Sequence, residues 1–173
     1  MAVWTLKMNI IGKSDVFNFC KTEKLIGFGW GFPDDYLEKL EIKEIKEIQE
    51  IEKYDDLRKG YSLYTNSRQL TTCINAFKKM RPEDFVWTLG DSENSYYLCK
   101  ITGRYKYLKE EFSKKYGIAN CMEVFGYNPV SENLVPPDVK RLLHSSGIIY
   151  KLSDRDQETA TVSLYEMIKN LNP

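Results

Sequence analysis

The chain has 173 residues, with 25 basic and 25 acidic side chains and therefore a formal net charge of zero. This balance argues against a strongly electrostatic nucleic-acid binder, while 42% hydrophobic and 29% charged residues are typical of a soluble globular protein. No apolar run reaches the about 20 residues of a membrane helix, and the N-terminus has no signal-peptide pattern. We therefore expect a cytoplasmic protein that does not enter a membrane.

The first elements predicted are two strands with a short helix between them. Residues 2–11, AVWTLKMNII, alternate with a period close to two and predict a strand, and a short helix is expected up to Phe19. Residues 25–32, LIGFGWGF, alternate glycine with aromatic residues. That pattern predicts a strand with one nearly bare face, which another backbone or a ligand can approach closely.

A charged insertion of low complexity follows at about residues 36–59. Its isoleucines recur every three residues between Lys and Glu, at Ile42, Ile45, Ile48 and Ile51. A three-residue spacing drifts around a helix, so we interpret the insertion as a surface helix that lies obliquely on the domain with a slanted apolar stripe. The alternative is that the helix over residues 41–51 binds a protein partner or a second copy of the chain.

The remaining pattern predicts an α+β order. A helix over residues 73–80 ends at Pro82, and residues 85–90 and 95–103 form a hairpin around a turn. A strand at 120–129, a helix after Pro136, a strand at 148–153 and a helix at 154–171 complete the chain. Because no linker interrupts this order, we expect one α+β domain over residues 1–173, built around a curled sheet or barrel.

The residues that usually carry metal or covalent chemistry are sparse. His144 is the only histidine, and no two of the four cysteines form a Cys-x-x-Cys pair: Cys20, Cys73, Cys99 and Cys121. This spacing favours buried free thiols over a zinc site or a disulfide framework. The chain also has no GxSxG, HExxH or phosphate-binding glycine loop. We therefore expect no metal, no cofactor and no catalysis, and any nuclease activity would belong to a partner.

Aromatic and basic residues interleave between Phe77 and Gly117. This stretch has nine basic and six acidic residues, a local charge of +3, and it includes YYLCKITGRYKY at Tyr96–Tyr107. Stacking surfaces beside cations suit a base that is drawn out of its stack and held between aromatic rings.

Four segments in order, VWTLKMN, IGFGW, NAFKKMRPEDFVWTL and YYLCKITGRYKY, carry a resemblance over about residues 3–107. The succession resembles the PUA-like domains of the EVE, YTH and ASCH type, which are often found at the front of modification-dependent restriction proteins. The resemblance implies a curled, mostly antiparallel β-sheet or barrel flanked by helices. It also implies a concave pocket that takes one flipped, often methylated, base into an aromatic cage.

The resemblance can be carried over residue by residue. It implies that Trp30, Trp87 and Tyr97 form the cage. The residues that follow the Ile-Thr-Gly segment would contact the nucleic-acid backbone or the pocket rim: Arg104, Tyr105 and Lys106. Trp4 lies at the opening-strand position, where a core role and a pocket role are both open.

Two residues depart from the family pattern. Glu83 stands where the family usually has the glycine of a Pro-Gly-Asp turn, and Cys99 replaces a small glycine in the Tyr-Tyr-x-Gly segment. Glu83 puts an extra negative charge in that loop, and Cys99 is expected to alter the close packing of the strands.

Together these observations predict a non-catalytic module that reads a methylated base in DNA and serves restriction or defence, together with an effector nuclease or another protein partner. The first alternative is an RNA reader, which a contact to the 2′-hydroxyl would distinguish. The second is a protein-interaction domain that uses the isoleucine-repeat helix, and the third is an enzyme.

Overall fold

A computed structural model describes residues 1–8, 12, 14–108 and 110–171, except for the side chains of residues 14, 45, 46 and 171. Its strands are β1 (Val3–Leu6), β2 (Leu25–Phe28), β3 (Phe85–Leu89), β4 (Tyr96–Tyr107), β5 (Asn120–Val130) and β6 (Ile149–Lys151). Its helices are α1 (Ser14–Glu23), α2 (Asp34–Lys39), α3 (Ile51–Gly60), α4 (Arg68–Phe77), α5 (Glu110–Tyr116), α6 (Pro137–Leu143) and α7 (Arg155–Leu171). Part of the predicted opening strand, at residues 9–11, lies outside the described residues.

The six described strands form one sheet in the order β2-β5-β4-β3-β1-β6. The long β4 lies between β3 and β5 in two antiparallel hairpin pairings, whereas β1 and β3 are parallel. The α+β class is thus confirmed. The sheet is mixed, with four antiparallel pairings and the parallel β1–β3 pair, and it is open, with β2 and β6 as its edge strands.

Two cores cover the two faces of this sheet. Successive residues of a strand point to opposite faces, so Val86 and Trp87 of β3 belong to different cores. The main core contains Trp4, Phe28, Phe77 and Val86 and lies on the side of α1, α3 and α4. The second core contains, among others, Phe85, Trp87, Leu98, Val139, Leu143, Leu164 and Tyr165, from β3, β4, α6 and α7.

The charged insertion is not one helix. It consists of α2, a 3-10 helix at Ile45–Ile48 and α3, with a left-handed residue, Glu41, between the first two. A 3-10 helix has three residues per turn, so it keeps a three-residue apolar repeat on one side, which an α-helix cannot do. The isoleucines with described side chains, Ile42, Ile48 and Ile51, are buried in the main core. These three described side chains are therefore not exposed to a partner.

Candidate functional site

The six residues predicted to form a site lie in four different places. Trp30 lines a cavity beside the end of β2, which we call the Trp30 cavity. Arg104, Tyr105 and Lys106 line another cavity, between β4, β5 and the insertion, which we call the Arg104 cavity. Trp87 and Tyr97 line neither of them. The predicted cage of Trp30, Trp87 and Tyr97 is therefore not assembled in the structure.

Trp87 does not form a cage with Trp30, because its side chain packs in the second core, on the other face of the sheet. It is 0% exposed in the second core, and its Nε1 donates a hydrogen bond of 3.1 Å to Oγ1 of Thr161 on α7. Trp30, in contrast, packs against the main core. The Trp87 ring is packed inside the protein and its Nε1 has a hydrogen-bond partner there, so this residue has a structural role.

Tyr97 is half-buried against α1. Its ring centroid lies 4.8 Å from that of Phe17 and 6.0 Å from that of Tyr127, and Lys21 Nζ lies 5.9 Å from it. These neighbours surround the ring with contacts made by the protein itself. Tyr97 thus joins β4 to α1 in the structure.

The Trp30 cavity has a volume of about 420 Å³. Its apolar lining comes from Met8, Phe28, Trp30 and Ile148, and its polar lining from Lys7, Gln69 and Ser146, with Gly29 and Gly117 at its edge. The Trp30 ring is half-buried, and its centroid lies 6.0 Å from that of Phe28 in an edge-to-face arrangement. No carboxylate among the described residues lines this cavity.

The backbone of Trp30 is strained, with a φ of 62°. The left-handed region costs a residue other than glycine about 1–2 kcal/mol, so the surrounding structure must hold it there. Two buried side chains hold the backbone in this conformation through hydrogen bonds. Tyr54 Oη donates to the Trp30 carbonyl at 2.5 Å, and Asn120 Nδ2 donates to the Gly29 carbonyl at 2.9 Å. Asn120 in turn accepts from Tyr105 Oη at 2.6 Å.

The next two residues are held in the same way. Tyr64 Oη donates to the Gly31 carbonyl at 2.5 Å, and the Phe32 amide donates to Tyr107 Oη at 2.6 Å. Burial raises the pKa of Tyr64 and of Tyr107, so both phenols stay protonated. We call this set of phenols and amide the tyrosine cradle: Tyr54, Tyr64, Tyr105, Tyr107 and Asn120.

The glycines of LIGFGWGF allow close approach, as the pattern predicts. A Cβ atom at Gly31 would lie 2.5 Å from Ser113 Oγ, and one at Gly29 would lie 3.0 Å from the Gly117 carbonyl oxygen. A Cβ atom at Gly27 would collide with the Asn120 carbonyl oxygen, so the glycines are approached by α5, by Gly117 and by the start of β5. The predicted strand, however, ends at Phe28, because Trp30 turns the chain out of the sheet.

The Arg104 cavity has a volume of about 500 Å³ and a mixed charge. Lys106 Nζ lies 2.6 Å from Glu123 Oε1, and Arg104 Nε lies 4.0 Å from Glu123 Oε2. Glu50 and Glu52 line the same cavity. Lys78 and Arg81 line it too, so three carboxylates offset most of the positive charge of four basic residues here.

Several lining residues of the Trp30 cavity were not predicted. Lys7 follows β1, Gln69 lies on α4, and Ser146 and Ile148 precede β6. The Lys7 amide donates to the Ile148 carbonyl at 2.7 Å, and its Nζ donates to the Ser145 carbonyl. No local motif marks these residues, since Lys7 meets Ser146 and Ile148 through the pairing of β1 with β6, and Gln69 joins them through the contact of α4 with β6.

The described residues show neither a metal centre nor a membrane span. No group of three or more His, Cys, Asp or Glu among them could hold a metal ion. No helix in the described part of the chain is long and apolar enough to cross a membrane.

Comparison with known proteins found one family. A family model described as Domain of unknown function (DUF8426) matches residues 4–118. No curated protein and no solved structure matches the chain. The matched range contains Trp30 and its tyrosine cradle except Asn120, whereas Ser146 and Ile148 of the cavity lie beyond it.

Proposed function

We propose, for a chain that belongs to the DUF8426 family of unknown function, that the protein is a PUA-like nucleic-acid-binding module that accepts one unstacked base in the Trp30 cavity. The observation that carries the proposal is the half-buried Trp30 ring, which the tyrosine cradle holds in a strained conformation at the mouth of a cavity of about 420 Å³. Backbone strain that the surrounding structure maintains is characteristic of binding sites.

The chemistry of the cavity supports a base as the ligand. Trp30 offers a stacking surface, for which about 1–3 kcal/mol per base is typical. Gln69 and Ser146 offer hydrogen-bond donors and acceptors for the edge of a base, and Lys7 offers a cation for a phosphate. A single aromatic wall replaces the cage of three rings that we expected.

The resemblance to PUA-like domains supports the same proposal. Glu83 has a φ of 77°, which is the left-handed conformation that a glycine adopts easily, and it stands where the family usually has glycine. The resemblance makes a methylated base in DNA the first ligand to test, in a restriction or defence setting. Burial of one methyl group would add about 0.8 kcal/mol of discrimination.

The test is a titration followed by tryptophan fluorescence. Trp4 and Trp87 are 4% and 0% exposed, so quenching by a ligand reports on Trp30. The probes are short DNA strands and duplexes that contain adenine, N6-methyladenine, cytosine or 5-methylcytosine, with matching RNA strands, at two salt concentrations. We expect quenching that saturates, and tighter binding of one methylated probe than of its unmodified counterpart.

Two variants locate the site. Trp30→Leu should weaken binding about tenfold or more, because it removes the stacking surface. The matched control, Arg104→Ala, removes an exposed cation of the Arg104 cavity and should change affinity by less than about twofold. Since Trp30→Leu removes the fluorophore, the binding of both variants is compared by the anisotropy of labelled probes. A larger loss in Arg104→Ala than in Trp30→Leu, or no binding of any probe, would overturn the proposal.

A further inference from the structure

A third cavity adjoins the Trp30 cavity and shares two residues with it, Gln69 and Ile148. It has a volume of about 260 Å³ and is lined also by Thr72 on α4 and by Gly147 and Tyr150. We call it the Tyr150 cavity. The two cavities adjoin at these shared residues, and we call them together the groove, with α4 on one side and the residues leading into β6 on the other.

We infer that the Tyr150 cavity holds the nucleotide next to the captured base, so that the protein recognises a strand and not a free nucleoside. This inference rests on the proposed function of the Trp30 cavity. In a strand, the neighbouring nucleotide is joined to the captured one through a phosphate, and it must therefore lie in a space that continues from the base cavity.

The chemistry of the groove favours such an occupant. The Tyr150 ring is half-buried at the wall of its cavity and offers an aromatic surface to a base or sugar. Gln69 and Thr72 are both exposed and lie three residues apart on α4, so they present polar groups on the same side of the helix. Oγ1 of Thr72 already donates to the Arg68 carbonyl at 3.0 Å, which leaves its oxygen free to accept.

The charge along the groove is complementary to a polyanion. Lys7 lines the Trp30 cavity, and in neither cavity does a carboxylate appear among the described lining residues. The Arg104 cavity, in contrast, is lined by three glutamates, Glu50, Glu52 and Glu123, together with four basic residues. A phosphate between two nucleotides therefore meets no carboxylate among the described lining residues of the groove.

The groove also has a fixed wall. Lys7 holds the residues before β6 through its amide, which donates to the Ile148 carbonyl at 2.7 Å, and through its Nζ, which donates to the Ser145 carbonyl. This double attachment to β1 orders the wall before a ligand binds, so little conformational entropy is lost on binding.

The experiment compares a mononucleotide with a trinucleotide that has the same base in its centre, both as deoxyribo- and ribonucleotides. The trinucleotide should bind about tenfold more tightly, because a second stacking contact is added. Thr72→Glu places a carboxylate in the groove at an exposed position. The Thr72→Glu variant should lose most of the roughly tenfold tighter binding of the trinucleotide at low salt and less of it at high salt. Its affinity for the mononucleotide should stay nearly unchanged.

Controls separate charge from shape and this inference from the proposed function. Thr72→Gln has almost the same shape as Thr72→Glu without the charge and should keep the gain. Tyr150→Leu should reduce the gain, and Phe125→Leu, which changes an exposed ring outside both cavities, should not. Equal affinity of mononucleotide and trinucleotide, or an equal effect of Thr72→Glu on both, would overturn the inference while the base cavity stands. Failure of both probes to bind would overturn the proposed function itself.

Discussion

Four residues with side chains occupy the left-handed backbone region, and two of them, Trp30 and Glu83, have φ of 62° and 77°. The strain has a different setting in each. Trp30 lies at a cavity, where the conformation turns its ring toward the cavity lining. Glu83 lies in the turn before β3, where its amide donates to the Ile101 carbonyl at 3.1 Å and its exposed carboxylate pairs with Lys100.

The left-handed backbone at position 83 predicts that glycine is tolerated better there than alanine. Glu83→Gly should be more stable than Glu83→Ala by about 0.5–1 kcal/mol, because the left-handed conformation costs alanine about 1–2 kcal/mol and glycine almost nothing. The greater freedom of glycine in the unfolded chain offsets part of that gain. Both variants lose the same exposed ion pair with Lys100, so it cancels in the comparison. Urea denaturation of the two variants measures the difference, and a more stable alanine variant would contradict it.

At the scale of elements, the charged insertion supports the site. The 3-10 helix is followed by Gln49, whose Oε1 accepts from the Tyr107 amide at 3.2 Å and whose Nε2 donates to the Tyr107 carbonyl at 3.2 Å. The insertion thus extends the backbone pairing of β4. α3 then brings Tyr54 beneath Trp30. The isoleucines of the insertion therefore pack in the main core, and α3 supplies Tyr54 to the tyrosine cradle.

Removal of one phenol from the cradle tests this role. Tyr54→Phe leaves the Trp30 carbonyl with a single weak donor, Asn120 Nδ2 at 3.5 Å, and should lower the free energy of unfolding by about 1–2 kcal/mol. It should also shift the emission of Trp30 and weaken ligand binding. Tyr36→Phe is the matched control, since it removes a hydrogen bond of 2.9 Å to the Leu57 carbonyl and none to residues 29–32.

The control should lose about 1 kcal/mol of stability and keep both the emission of Trp30 and the affinity for ligand. Equal changes in emission and affinity for the two variants would show that the cradle has no specific effect on Trp30.

At the scale of the whole molecule, the four cysteines are free and buried in the main core. Burial raises the pKa of Cys20 and of Cys73 from 9.0 to about 12, and it raises those of Cys99 and Cys121 as well. A thiolate is costly in an apolar interior, so these thiols stay protonated while the protein is folded. They are therefore structural residues of the core.

This burial predicts a loss of stability at high pH. A thiol of the unfolded chain ionises near pH 9, whereas Cys20 in the folded protein stays neutral up to about pH 12. The stabilisation from this thiol is complete below pH 9 and falls between pH 9 and 12, by about 1.4 kcal/mol per pH unit. Urea denaturation from pH 7 to 10.5 measures the fall, which should be shallower in Cys20→Ala.

Thiol labelling gives an independent check of the same packing. At pH 8 the folded protein should react with a thiol reagent only as fast as it unfolds, and all four cysteines should react in urea. Rapid labelling without urea, or a stability that is unchanged up to pH 10.5, would contradict the burial of these thiols.

The sequence by itself determined most of the elements and their order, but neither α5 nor the division of the charged insertion. Strands were predicted at β1, β3, β4 and β5, because these patterns depend on residues close together in the chain. The prediction made β1 longer and β4 shorter than the structure has them, and it ended β5 one residue early, at Pro129. The sequence also identified Glu83 as a residue that stands where the PUA-like pattern has glycine, and it predicted that the four cysteines are free thiols. Where a local pattern suits two structures, prediction was wrong: the isoleucine repeat became a 3-10 helix and α3 within a core, not a surface helix.

Only the tertiary structure decided which of these residues share a site. Alternation shows that Val86 and Trp87 point to opposite faces, but the contact of α7 with the second face is what buries Trp87. The pairing of β1 with β6 brings the Lys7 amide to the Ile148 carbonyl across about 140 residues. Cavities form where distant segments meet, so their lining depends on pairings between strands that no local spacing of residues encodes.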